Sequence, residues 1–322
     1  MPYTLFAFIP SLLLTVLFTA WLLPVLRKRH VGQRILEVGP KWHLSKEGTP
    51  TMGGLAFLAA ITLVGCVFCA VTGLTGNGVH GAVLVLAYAL LNGLIGIVDD
   101  AAKLRKKQNE GLLPWQKLLL QTTFAAAFLA LWRLFYGGSP LPLPFHSSVD
   151  LGIFYYPAAL LFLLGSVNFV NLTDGIDGLA ATVSLIAGAF YTVFALLRGD
   201  ALLMLVAAAL SGGALGFLFF NAHPAKIFMG DTGSLYLGGL LAGCAFLSQS
   251  PLTLLPAGLI FYAEGLSVIL QVAIYKLRKK RLFRMAPLHH HFEKGGWSEW
   301  RIVGVFSLAA VLAAAAGLPI LL

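Results

Sequence analysis

The sequence predicts an all-α, polytopic integral membrane protein with about ten transmembrane helices, and three observations carry that expectation. Hydrophobic residues make up 58% of the 322 positions and charged residues only 11%, against roughly 25% charged in an ordinary soluble domain. Ten predominantly apolar stretches of span length are separated by polar breaks. Of the 22 Lys and Arg residues, 20 fall in alternate breaks, which is the distribution that the positive-inside rule describes.

A hydrocarbon core about 30 Å thick asks for about 20 apolar residues per helix. The spans are expected over about 4–26, 52–72, 80–98, 117–135, 152–170, 178–197, 201–219, 233–249, 255–275 and 302–321. The first has no basic residue before it, is too long for a signal-peptide core and is followed by Arg27, Lys28 and Arg29. It reads as an uncleaved helix with its N-terminus outside. Alternation then turns 27–49, 99–117, 220–231 and 276–301 inward, and these hold every Lys and Arg except Arg133 and Arg198. The formal charge of +9 is therefore a topological signal, and nucleic-acid binding is not expected. Cys66, Cys69 and Cys244 lie inside apolar spans, where a thiol behaves as a small hydrophobe, so no disulfide is expected. The chain reads as one integral membrane domain over 1–322, without repeats or a separable soluble part.

Of the 13 acidic residues, only Asp150, Asp200 and Glu264 lie away from the inward loops and span ends. Ion-coupled transporters set carboxylates near the bilayer midplane. Here they collect at one face, which suits a site taking one reactant from water and another anchored in lipid. Asp99 and Asp100 end the third span. Adjacent carboxylates repel, so the pair invites a raised pKa or a divalent cation. Lys103, four residues after Asp99, also has the spacing of a helix-surface pair worth about 0.3–0.5 kcal/mol.

The segment Asn168-Phe-Val-Asn171-Leu-Thr-Asp174-Gly175-Ile-Asp177-Gly178 joins the fifth span to the sixth. Its glycines let backbone approach a ligand closely, and a purely structural turn accounts poorly for its four acceptors. No Glu closes a twelve-residue loop begun at Asn171, so it is not an EF-hand. Asn221-Ala-His223-Pro224 and Phe228-Met-Gly230-Asp231-Thr232-Gly233-Ser234 precede the eighth span. Asp231 fits equally an N-cap or a metal ligand beside a helix N-terminus that favours phosphate. A single Asp-Thr-Gly-Ser beside a lipid-spanning helix is not an aspartic-protease site.

The last inward loop carries Lys276, Arg278, Lys279, Lys280, Arg281 and Arg284, matched to anionic headgroups, and then His289-His290-His291. Three consecutive histidines cannot all point at one metal from a regular helix, so hydrogen bonding to phosphate or sugar is the expectation. Glu264, Ser267 and Gln271 share a helical face in the ninth span, either as an internal hydrogen-bonded cluster or as the lining of a substrate groove.

Together these motifs resemble the polyprenyl-phosphate N-acetylhexosamine-1-phosphate transferases, and within them the muramoyl-pentapeptide branch. The carriers are Gly32-Gln33, Gly39-Pro40, His43, Lys46 through Gly54, Asp99-Asp100-Ala-Ala-Lys103, Asn171 through Gly178, Asn221 through Gly233, and Pro287 through Glu293. The aspartate motifs belong to the whole superfamily, whereas Thr49-Pro-Thr-Met-Gly53 and the histidine run narrow the likeness to the branch. Leu36 stands where the family usually has Arg, Lys294-Gly295 replaces Leu-Lys, and Val305 and Ser307 interrupt a common Arg-Phe-Trp. None of these departures touches the aspartates.

The resemblance implies ten spans in the bacterial inner membrane with both termini outside, a cytoplasmic cleft and a homodimer. It also implies a reaction in which UDP-MurNAc-pentapeptide and undecaprenyl phosphate give lipid I and UMP, with Mg2+ as cofactor. Asp231 is then the expected magnesium ligand, with Asp99 and Asp100 sharing the metal or orienting and deprotonating the lipid phosphate. Asn171, Asp174, Asp177, Asn221 and Phe228 are expected at the nucleotide, with Phe228 on uracil, and Asn168, Gly175 and Gly230 are expected among the substrate-binding residues. Lys46, Lys103 and Lys117 are expected to steady phosphates, and His289, His290 and His291 to serve the phosphate or sugar. The rival readings are a transferase using UDP-N-acetylglucosamine and a transporter of nucleotide sugars or lipid-linked intermediates, which would move its substrate without breaking a bond.

Overall fold

The computed structural model describes residues 2–28, 46, 48–71, 77–106, 111–137, 140–143 and 147–321. Gly32-Gln33, Leu36, Gly39-Pro40 and His43 lie outside the described residues. The helices are α1 Pro2–Lys28, α2 Gly54–Val71, α3 Asn77–Lys106, α4 Pro114–Tyr136, α5 Tyr155–Thr173, α6 Leu179–Arg198, α7 Ala201–Asn221, α8 Gly230–Leu247, α9 Leu254–Ala257, α10 Leu259–Arg278, α11 Leu288–Glu293 and α12 Glu299–Leu321. An antiparallel hairpin of β1 Pro140–Leu143 and β2 Ser147–Asp150 links α4 to α5.

Among the described residues, nine helices are long and apolar enough to cross a membrane, namely α1 to α7, α10 and α12. The outer faces carry exposed apolar side chains, including Trp21, Leu134, Leu161 and Leu312, as expected where hydrocarbon is the solvent. The expected eighth span is α8. Its first turn is Gly230-Asp231-Thr232, and every residue from Thr232 to Leu247 is buried. Other helices surround it, so its composition is released from what lipid demands. The expected ninth span begins with an interruption, because Gly258 separates the short α9 from α10.

A helix enclosed on all sides must be approached closely, and α8 achieves this with small residues. Gly233 meets Gly54 of α2, Gly238 meets Val167 of α5, and Gly239 and Gly243 meet Ala89 and Val85 of α3. From the facing side, Gly96 of α3 leaves room for the Asp231 backbone. Missing side chains let helix backbones come together in a membrane. The C-terminal end of α3 is thereby held beside the N-terminus of α8.

A similar contact seats α1 on α7, where Gly212 and Gly216 lie against the Phe8 and Leu12 carbonyls and Ser11 Oγ donates to the Ala209 carbonyl at 2.6 Å. Successive spans alternate in direction, so the C-terminal ends of α3, α5, α7 and α10 meet the N-terminal ends of α2, α4, α6, α8 and α12 at one end of the bundle.

Candidate active site

Three carboxylates from two helices converge at that end. Asp99 and Asp100 of α3 and Asp231 of α8 have oxygens within 4.8 Å of one another. Asp99 is buried, with Oδ2 2.7 Å from Lys103 Nζ, Oδ1 3.2 Å from Lys117 Nζ, and the Leu112 N–H donating to Oδ1 at 2.8 Å. Asp231 Oδ2 accepts from Lys117 and lies 3.3 Å from Lys103 Nζ, while Oδ1 accepts from Asn171 Nδ2 at 3.2 Å. The same Asn171 amide donates to Ser234 Oγ at 2.8 Å. Three carboxylates facing two ammonium groups leave one formal negative charge in excess, and hard oxygen donors of this kind are what magnesium takes.

Asp100 has a different task. Its Oδ2 accepts from the Thr232 N–H at 3.0 Å and from Thr232 Oγ1 at 2.7 Å, and its Oδ1 accepts from the Asp231 N–H at 3.3 Å. These are the first amides of α8, so Asp100 serves as an N-terminal cap supplied by another helix, where a negative charge is also favoured by the helix dipole. Gly230 precedes them with a φ of +69°, and a Cβ there would press on Asp100 Oδ2. Asp231, for which a capping role stood open, turns its carboxylate to Lys117 and Asn171 instead.

A second group lies across the loop between α5 and α6. Lys46 Nζ is 2.7 Å from Asp177 Oδ1 and 2.7 Å from Glu299 Oε1. His223 Nδ1 is 2.8 Å from Asp177 Oδ2, the Ala225 N–H donates to that oxygen at 3.0 Å, and the Asp177 N–H donates to Glu299 Oε2 at 2.9 Å. Burial works against the Asp177 charge, but hydrogen bonds from Lys46, Ala225 and His223 outweigh it and hold the carboxyl below the usual range. Asp174 feels both groups. Burial, then the charges of Asp231, Asp100 and Asp177, push its carboxyl up to about 8 against the pull of Lys46.

The histidine run forms α11, and its three rings take different partners, with those of His289 and His290 packed edge-on, centroids 4.2 Å apart. His289 is buried with Nδ1 3.3 Å from Glu264 Oε1, His290 Nδ1 is 2.6 Å from Glu293 Oε2, and His291 Nδ1 accepts from the Arg284 N–H at 3.1 Å. The Glu264 face of α10 is a hydrogen-bonded anchor. Ser267 Oγ donates to the Glu264 carbonyl at 2.6 Å, and Gln271 Oε1 accepts from the Leu282 and Phe283 N–H groups at 3.0 and 2.9 Å, which straps the basic loop to the helix.

Asp99, Asp100, Lys103, Lys117, Asn171 and Asp231 thus lie together, and Lys46 and Asp177 form the neighbouring group. Asn168 stands one turn before Asn171 and donates to Gln121 Oε1 at 2.9 Å. Asn221 is buried, accepting from the Gly178 N–H at 3.2 Å and donating to the Ile227 carbonyl at 3.0 Å, so it braces one motif loop on another. Phe228 is partly buried and pairs its backbone with Pro50 and Gly53, both at 2.8 Å. Glu299 and Gln121 belong to no motif, and the one signal for Glu299 is a carboxylate opening a span at the face where the other acidic residues gather.

The sequence profile described as glycosyl transferase family 4 matches residues 82–249, and that of phospho-N-acetylmuramoyl-pentapeptide-transferase signature 1 matches residues 46–58. The chain is 46% identical over 316 residues to a phospho-N-acetylmuramoyl-pentapeptide-transferase of Heliobacterium modesticaldum, covering 97% of this chain and 95% of that one. It is 43% identical over 312 residues to the protein of the same name from Clostridium perfringens, strain SM101, covering 97% and 94%. For that of Caldanaerobacter subterraneus the identity is 44% over 311 residues, covering 96% of each chain.

Proposed function

The chain belongs to the phospho-N-acetylmuramoyl-pentapeptide-transferases of glycosyl transferase family 4, and on that premise we propose that it transfers phospho-MurNAc-pentapeptide from UDP-MurNAc-pentapeptide to undecaprenyl phosphate, giving lipid I and UMP with magnesium as cofactor. The observation that carries this reading is the meeting of Asp99, Asp100 and Asp231 with Lys103 and Lys117 at one end of the bundle. An oxygen of the lipid phosphate bonds to the sugar-bearing phosphorus while the bond from that phosphorus to the UMP oxygen breaks. Two anions must approach and a third must leave, so catalysis is mostly positioning and charge neutralisation.

Asp231 and Asp99 are the magnesium ligands in this reading, since Asp100 is committed to the first amides of α8. An ion held there would supply positive charge that offsets the charge of the phosphates. Lys103 and Lys117, paired to the aspartates in the free protein, turn to the phosphates as those arrive. Asp99, which follows the apolar run Leu94 to Val98 of α3, orients the attacking phosphate in this reading. Lys46, Asn171, Asp174, Asp177 and Phe228 form the nucleotide pocket. The basic residues of alternate gaps fall in the sequence beside this end of the bundle, and the positive-inside rule supports a site that faces the cytoplasm with both termini outside.

Purified protein mixed with UDP-MurNAc-pentapeptide, undecaprenyl phosphate and magnesium should release UMP, and Asp231→Asn should slow that release by about 10²–10³-fold. Release from Asp231→Asn at the wild-type rate would remove the site assignment. Substrate movement into vesicles without UMP would replace the transferase by a transporter. Preference for UDP-N-acetylglucosamine in the same assay would change the substrate.

A further inference from the structure

Glu264 lies within α10 with no exposed surface, and His289 of α11 faces it equally buried. A carboxylate removed from water costs several kcal/mol unless charge and hydrogen bonds compensate it. Glu264 receives the His289 N–H at 3.1 Å to Oε1 and 3.4 Å to Oε2, with the imidazole Nδ1 3.3 Å from Oε1. The far nitrogen of the ring, Nε2, faces Gly175, where any Cβ would overlap it. Neither ring nitrogen has a well-formed hydrogen bond to a described residue. The imidazole is therefore wedged between a buried carboxylate and the loop that carries Asp174 and Asp177 and directly follows the end of α5, where Asn171 sits. A carboxylate behind a histidine selects the tautomer and fixes the ring direction.

We propose that Glu264 is a positioning residue that acts through His289. It keeps the imidazole proton on Nδ1 and the ring pressed on Gly175, and so holds the α5–α6 loop where Asn171 reaches Asp231, a contact of 3.2 Å. Glycine is required at 175 because Nε2 occupies the side-chain space. The proposal rests on the transferase reading only for its activity readout, since the state of His289 is observable without turnover.

The test uses the full chain in lipid nanodiscs, labelled with 15N at histidine, comparing wild type with Glu264→Gln and Glu264→Asp. The glutamine keeps the volume and an oxygen for the His289 N–H but cannot hold the charge. In wild type the 15N shifts of His289 should report a proton on Nδ1, and in Glu264→Gln a redistribution toward Nε2. The kcat for UMP release should fall about 10–100-fold while the dissociation constant of UMP moves much less, and Glu264→Asp should recover part of the rate. Unchanged His289 shifts in Glu264→Gln would overturn the proposal. So would a parallel fall of kcat, UMP affinity and thermal stability, which is what a packing role alone produces. Should Glu264→Gln fail to fold, Gly175→Ala pushes on Nε2 from the other side and must alter both the shifts and kcat, and wild-type values for both would likewise overturn it. Should no protein release UMP, the transferase reading fails and the 15N comparison decides the proposal by itself.

Discussion

Asp174 is one residue through which pH acts on this site. Its folded carboxyl titrates at about 8 because burial and the charges of Asp231, Asp100 and Asp177 disfavour ionisation, against about 3.9 in an unfolded chain. Between those values the folded state holds the extra proton, so this group's contribution to stability declines as pH rises from about 4 to about 8. Asp174→Asn removes that penalty. It should be no more stable than wild type near pH 4 and progressively more stable toward pH 8, as read from thermal unfolding in detergent, and parallel profiles for the two proteins would refute the assignment. At this scale the sequence conveys residue types and not partners. The motif loops mark Asp174, Asp177 and Asp231 as polar and important, but the capping role of Asp100 depends on a neighbouring helix more than a hundred residues later, and local spacing carries no trace of it. Glu299 was hidden for the same reason, since its partners Lys46 and Asp177 come from distant segments.

Among the elements, the crossing of α3 and α8 decides whether the carboxylates meet. A Cβ on Gly96 would collide with the Asp231 carbonyl and the Thr232 nitrogen, backbone atoms that cannot rotate away. Gly96→Ala should therefore cost about 1–3 kcal/mol, the usual penalty for overpacking, and reduce UMP release by moving Asp231 from Asp99. Gly304→Ala on α12, where nothing lies within 4 Å of the added carbon, is the control and should be close to neutral. Equal effects of the two substitutions would contradict the role given to the crossing. The lipid-facing spans were legible because hydrocarbon imposes both length and apolarity on them. The enclosure of α8 and the break between α9 and α10 were not, because a helix surrounded by protein answers to its neighbours. Its glycines are the sequence trace of that enclosure, visible once the facing helices are known.

Over the whole molecule, the gathering of polar residues at one end was legible from charge alone, since the basic residues of alternate gaps and most of the carboxylates fall on the same predicted face. That face is expected to be cytoplasmic. In protein lacking its native cysteines, a cysteine replacing Ser147 in the hairpin should react with an impermeant maleimide on intact spheroplasts, and one replacing Lys226 between α7 and α8 should react only after permeabilisation. The reverse pattern would invert the topology. The account as a whole depends on carboxylates from separate helices sharing one divalent ion between two anionic reactants. The most direct measurement is anomalous diffraction from crystals of the full chain grown with UMP and manganese in place of magnesium. A peak bonded to the Asp231 carboxylate and adjoining Asp99 is the predicted result. A peak confined to Asp177, His223 and Glu299, or none near Asp99, Asp100 and Asp231 at saturating manganese, would contradict it.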